Sequence, residues 1–171
     1  VLEPCARNTA AAAAVAAALA LEQEPAALVL LAPADHVVAD RAAFLAAIAR
    51  AAPFAHQRIV TFGMTPSRAE TGYGYIKRGA ELGVGVFEIE AFKEKPVATL
   101  ARQYAGDGHL WNAGMFLFSP ALLLREFSAH PEIRTHAIAA LSRAARSGSE
   151  IRLDEAAFAS APALPLDQES I

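Results

Sequence analysis

Cysteine is nearly absent: Cys5 is the single one in 171 residues. No internal disulfide and no cysteine-built zinc site can form, and this usage fits a reducing compartment, so a cytoplasmic location is expected. The five histidines, at 36, 56, 109, 130 and 136, show neither His-x-x-x-His nor HExxH spacing, which argues against a zinc hydrolase. Long apolar runs are missing as well. The longest, Ala10 to Leu21, is about twelve residues against the roughly twenty that a spanning helix needs, so no membrane association is expected. Nor is there an excess of positive charge. A formal net charge of −3 and a pI near 6.0 argue against a general nucleic-acid binder, whose affinity rests on clustered Lys and Arg. Small anionic ligands stay within reach, because they need only a few well-placed cations and backbone N–H groups.

What is present is alanine. It makes up much of the 54% hydrophobic fraction, favours helix, and adds little apolar area per residue, so the core must rest on fewer, larger side chains. The length fits one domain, residues 1–171. Asn8 and Thr9 are good N-caps for a helix running to Leu21. Leu28 to Ala32 is a short continuous apolar run, as in a strand buried on both faces. Asp40 caps a second predicted helix, with Phe44, Leu45 and Ile48 on one face and Pro53 near its end. Further strands are predicted at Arg58 to Phe62, Val86 to Phe92 and Met115 to Phe118, and helices from Pro96 through Tyr104, from Pro120 toward His130, over Glu132 to Arg146 and over Asp154 to Ala159. Ser147-Gly148-Ser149 reads as a small linker. The pattern is α/β, with a mixed, mostly parallel sheet flanked by helices.

Several segments carry groups suited to a phosphorylated sugar. Asp35 follows a buried strand, where open α/β sheets place ligand-binding groups, and a carboxylate there suits Mg²⁺; capping of the next turn is the other use of such a residue. Gly72 and Gly74, between aromatics in Glu70 to Ile76, let a sugar lie against backbone, or form an ordinary turn before a strand. Phe92-Lys93-Glu94-Lys95-Pro96 sets a carboxylate between two ammonium groups, for sugar hydroxyls and a phosphate or simply as a charged surface. Trp111-Asn112 offers an amide beside an aromatic, although Trp111 also suits a core. Arg7, Asn8 and Thr9 stand at a helix N-terminus, where donors could meet a base or phosphate or only cap the helix.

The order and spacing of Glu3-Pro4-Cys5-Ala6-Arg7-Asn8-Thr9-Ala10, Pro33-Ala34-Asp35-His36, Glu70-Thr71-Gly72-Tyr73-Gly74-Tyr75-Ile76, Phe92-Lys93-Glu94-Lys95-Pro96 and Trp111-Asn112-Ala113-Gly114-Met115-Phe116 resemble the bacterial mannose-1-phosphate guanylyltransferases. This resemblance implies a Rossmann-like nucleotidyltransferase fold and the formation of GDP-mannose from GTP and mannose 1-phosphate. It further implies Asp35 as ligand of a catalytic Mg²⁺, and Arg7, Asn8 and Thr9 at the guanine end. Gly72, Gly74, Glu94 and Asn112 fall on the mannose side, with Lys95 on its phosphate as a second catalytic group. Cys5-Ala6 and Ala11 depart from the family's commoner residues on the base side. The family's N-terminal glycine-rich phosphate loop has no counterpart, the first residue is Val1, and the chain stops at Glu169-Ser170-Ile171 where the family continues, so an internal piece of the enzyme is expected. Two alternatives stand beside this reading: a non-catalytic sugar-phosphate-binding piece, or a nucleotidyltransferase for another hexose 1-phosphate. A downstream isomerase domain and a homo-oligomer are compatible with the family and not legible here.

Overall fold

The computed structural model describes residues 1–166, so Glu169, Ser170 and Ile171 lie outside the described residues. In chain order the elements are α1 (Asn8–Gln23), β1 (Val29–Leu31), α2 (Arg41–Ala51), β2 (Val60–Met64), β3 (Tyr75–Gly83), β4 (Val86–Lys93), α3 (Ala98–Gly106), β5 (Leu110–Phe118), α4 (Pro120–Glu126), α5 (Pro131–Ser142), β6 (Ala145–Ser147), β7 (Glu150–Arg152) and α6 (Glu155–Ala159). They fall into two units that alternate along the sequence. One takes residues 1–31, 54–59 and the chain from Phe118; the other takes Ala32–Pro53 and Val60–Leu117.

Alanine decides how the first unit packs. Ala10, Ala11, Ala13, Ala14 and Ala17 are buried on α1 beside Val15, so the helix presents little bulk and its neighbours come close. The apolar area comes from those neighbours. Packed on α1 are α4 and α5, which bury Leu122, Leu123, Ile133 and Leu141, each worth about 1.5–3 kcal/mol when fully removed from water. Pro120 and Pro131 open these two helices, where a fixed φ and a missing N–H cost nothing. Asp154 caps α6 by accepting from the Ala157 amide at 2.9 Å, and α6 then buries Phe158.

Two expectations change in this unit. The predicted helix to Arg146 ends at Ser142, and the predicted linker is the turn of a hairpin, with Ala145–Ser147 paired antiparallel to Glu150–Arg152. Gly148 supplies the left-handed residue of that turn (φ 57°), and Arg146 donates to Glu22 at 2.8 Å. Asn8 and Thr9 do not cap α1 in the ordinary way. Asn8 is itself left-handed (φ 59°) with its side chain accepting from the Thr9 amide at 2.9 Å, while Thr9 Oγ1 accepts from the Leu166 amide at 2.8 Å.

The second unit is built on a sheet in the order β2-β5-β3-β4. The helix-flanked α/β class stands, but strand direction here departs from a mostly parallel sheet: β2 with β5, β5 with β3, and β3 with β4 all run antiparallel. The cause is local. Gly83 pairs with Val86 around Val84-Gly85, and a two-residue connection can join only antiparallel strands. Gly85 takes the positive φ (73°) that such a turn needs.

On this unit's sheet, α3 begins at Ala98 rather than Pro96 and lays Ala101 against Tyr75 and Trp111, with Tyr104 alongside. Asp40 caps α2 as predicted, accepting from the Ala43 amide at 2.9 Å. Phe44 meets Phe62 at 6.0 Å between ring centroids, whereas Leu45 is 52% exposed and leaves the face assigned to it. Within β5 the ladder slips. Thr61 faces Phe116 but Gly63 faces Asn112, so two residues of β2 match four of β5, and Gly114 occupies the slip at φ 65°.

Candidate active site

In the second unit Gly74 meets the Glu94 side chain and the main chain of Asn112, and Glu94 meets Lys95. Gly74 is buried, and its carbonyl accepts from the Asn112 amide at 2.8 Å. A Cβ on residue 74 would stand 2.7 Å from Glu94 Oε2 and 2.7 Å from Phe92 Cζ. Rather than leaving an open floor for a sugar, the missing side chain lets the Glu94 carboxylate and the Phe92 ring close over the backbone. Gly72 is exposed, with only Glu70 Oε1 within 4 Å of where its Cβ would be. The open glycine of the pair is therefore Gly72.

Lys95 is held at both ends. Its amide donates to the Tyr73 carbonyl at 3.2 Å, and its ammonium lies 3.4 Å from Glu94 Oε1 while remaining 65% exposed. Its φ is 41°, in the left-handed region and directly before Pro96, a combination that costs about 1–3 kcal/mol and persists only when surrounding structure imposes it. Asn112 has spent its acceptor. Its Oδ1 receives the Gly114 amide at 3.1 Å and the Thr61 hydroxyl at 2.7 Å. Because a main-chain N–H can only donate, Gly114 fixes which end of the amide is oxygen and leaves the NH₂ group as the end available to a ligand. Toward a ligand Asn112 is thus a donor rather than an acceptor.

Sequence reasoning missed the group that holds this loop. Glu70 Oε1 accepts from the Gly72 amide at 3.1 Å, and Glu70 Oε2 accepts from Arg68 Nε and Nη2 at 3.2 and 3.1 Å. The Gly72 amide and then Arg68 hold the Glu70 carboxyl below the usual glutamate range. The Tyr75 hydroxyl closes the turn from inside, accepting from the Glu70 amide and donating to its carbonyl. Arg68 also lies over Trp111, 5.6 Å from the ring centroid, and Tyr73 meets Trp111 edge-on at 5.2 Å. Trp111 itself is core, 5% exposed. The only sequence signal for Glu70 was a carboxylate two residues before a glycine, the spacing of a local side-chain turn.

Asp35 stands in an exposed turn, and among the described residues its carboxylate has no hydrogen-bond or ion-pair partner. No turn-capping bond engages it. Among the described residues no three His, Cys, Asp or Glu side chains gather as a metal site. One free carboxylate is nevertheless the donor set that Mg²⁺ accepts when phosphate oxygens and water complete its shell. In the first unit, the Thr9 amide is taken by Asn8 and the Ala10 amide by the Leu164 carbonyl at 3.0 Å. The start of α1 thus keeps fewer backbone donors than its position implied. Arg7 brings a buried Nε with no partner among the described residues.

This helix-flanked sheet seats an acid, paired to a lysine, against a glycine that also accepts from the Asn112 main chain. The chain belongs to the Nucleotidyl transferase family, whose pattern covers residues 1–155. Within that family it is similar to mannose-1-phosphate guanylyltransferase of Escherichia coli, at 42% identity over 98% of this chain and 37% of the relative. It is also similar to the xanthan biosynthesis protein XanB of Xanthomonas campestris, at 45% identity over 97% of this chain and 36% of that protein. A mannose-1-phosphate geranyltransferase crystal structure from Thermus thermophilus superposes with a TM-score of 0.85 at 34% identity, covering 99% of this chain and 48% of that one. The chain spans about a third of the length of these curated relatives. Among the described residues no helix is long and apolar enough to cross a membrane.

Proposed function

We propose that the protein containing this chain transfers GMP from GTP to mannose 1-phosphate, giving GDP-mannose and pyrophosphate. The observation that carries the reading is the Glu94 carboxylate seated on Gly74 and paired to Lys95, with the main chain of Asn112 bonded to the same glycine and the Asn112 side-chain oxygen engaged by Thr61 and Gly114. A carboxylate acceptor, an amide donor and a mobile ammonium are what a hexose bearing one phosphate requires. In this reading Glu94 accepts from mannose hydroxyls, the Asn112 NH₂ donates to another, and Lys95 leaves Glu94 for the sugar phosphate. Gly72 gives the sugar an unobstructed approach, and Gly74 seats Glu94. Arg7, Asn8 and Thr9 serve the guanine end, with the Arg7 guanidinium and the Asn8 side chain as the donors left over.

The phosphate oxygen of mannose 1-phosphate attacks the α-phosphorus of GTP in line, the bond to the β-phosphate oxygen breaks, and pyrophosphate departs. No covalent enzyme intermediate is needed. Asp35 would hold Mg²⁺, which would supply charge neutralisation at the reacting phosphates. This chain's share is positioning, together with the cation of Lys95 held near the phosphate as charge shifts toward the leaving group.

Pyrophosphate release and GDP-mannose formation should be measured for the whole protein, with and without EDTA, and with glucose, galactose and mannose 1-phosphates offered in turn. GDP-mannose formed in preference to other products and abolished by EDTA is the expected result. Sugar-phosphate binding with no pyrophosphate release would move the assignment to a binding protein, and preference for another hexose would change the substrate.

A further inference from the structure

The second unit has a cleft of about 340 Å³ that none of Asp35, Gly72, Gly74, Glu94, Lys95 and Asn112 lines. It opens between the last turns of α2, strand β2 and the β3–β4 hairpin. Its apolar surface includes Val60, Phe62, Phe87 and Leu110, all only half-buried, so the side chains that elsewhere would be core here face an open space. Two cations border it. Arg50 crosses the hairpin turn with its Nε 3.7 Å from the site of a Cβ on Gly85, and Arg78 stacks over Phe87 at 5.1 Å. Neither guanidinium has a carboxylate partner among the described residues, while the acid in the lining, Glu88, is itself engaged.

We propose that this cleft binds a small amphipathic anion, with a flat apolar body between Phe62 and Phe87 and one phosphate or carboxylate held by Arg50 and Arg78. Size and polarity both point that way. The volume lies in the range of small-molecule pockets, which are apolar with a few placed charges. An uncharged apolar guest would leave two guanidinium groups without an anion, and a bare inorganic ion would leave the aromatic walls wet. A guanidinium fork presents paired donors to phosphate or carboxylate, and Arg78 lies over the Phe87 ring at the border of the cleft.

The test uses 1-naphthyl phosphate as probe, with 1-naphthol and inorganic phosphate as its two halves, titrated into isotope-labelled protein and read by amide chemical shifts. Saturable shifts confined to Thr61, Phe62, Gly63 and Val86 to Ile89 are expected. Arg50→Ala and Arg78→Ala should each weaken binding about tenfold, the value of one charge-assisted contact, and each half of the probe alone should bind more weakly than the whole. Lys77→Ala, which removes a cation of the same hairpin outside the cleft, should leave the affinity unchanged. Shifts scattered over the chain, affinity indifferent to both arginines, or no saturable shift because another stretch of polypeptide fills the cleft would each overturn the proposal. GDP-mannose synthesis does not enter this readout, so failure here leaves the assigned reaction untouched.

Discussion

The Glu94 carboxylate occupies the space in which a side chain on residue 74 would begin, 2.7 Å from that residue's ideal Cβ position. Phe92 shares the space at the same distance, so a methyl group there meets a ring as well as a mobile acid. Gly74→Ala is expected to destabilise the protein by about 1–3 kcal/mol, the usual cost of overpacking. It should also raise KM for mannose 1-phosphate more than KM for GTP. Thermal denaturation alongside steady-state kinetics checks both, and an unchanged Tm would mean that Phe92 and Glu94 move aside freely.

Asn112→Asp separates the structural use of this residue from its use toward a ligand. The carboxylate keeps an acceptor for Thr61 and the Gly114 amide but cannot donate. The fold should survive while KM for mannose 1-phosphate rises, with KM for GTP less affected. Asn112→Ala removes the acceptor too, and its additional loss of about 1–3 kcal/mol should appear in the melting temperature. Equal stability of the two variants would show that the Oδ1 contacts contribute little.

Among the described residues Asp35 makes no contact that its neutral isostere would lose. Asp35→Asn should therefore shift stability by no more than about 0.5 kcal/mol. Turnover should fall by about a hundredfold, the order lost with one transition-state charge contact. Lys95→Ala should lower kcat in the same assay as well as raising KM for mannose 1-phosphate, whereas Glu94→Gln should act mainly on that KM.

Glu70 predicts the pH response of the loop. Its carboxyl titrates below its unfolded value, because the charged form accepts from Gly72 and Arg68. A depressed folded value means that the stabilisation is present above the unfolded value and is lost as pH falls through the folded one. The Gly72 amide resonance should hold steady through the ordinary glutamate range and move only at more acidic pH. In Glu70→Gln that transition should vanish, and a Gly72 signal titrating at the usual glutamate value would show that the clamp is not formed in solution.

Much of this was legible because caps, prolines and apolar runs act locally. Asp40, Pro120 and Asp154 each announced an element that is present. Strand β3 was announced only as the strand that a turn at Gly72 and Gly74 would precede. Lys77, Arg78, Gly79, Ala80 and Glu81 form no apolar alternation, and the strand exists through pairing with β4, including the Lys77–Glu90 ion pair. The same limit hid the hairpin after α5, where Arg146 finds Glu22, a partner far away in sequence. At the site, residue types told which groups to watch, but not that Gly74 would be covered or that Asn112 would turn its oxygen inward. Those facts depend on the register of β5 against β2 and β3.

That register bears on which length changes the chain can absorb. The slip around Gly114 adds residues to β5 in an even number relative to β2, so side chains before and after it keep the same alternation between the two sides of the sheet. Shortening β5 there by two residues would iron the strand flat and preserve its alternation. Removing one would reverse the facing of every residue on one side of the cut, in a stretch where Met115, Phe116, Leu117 and Phe118 are all buried. Insertions and deletions tolerated at this point in related chains should therefore come in pairs.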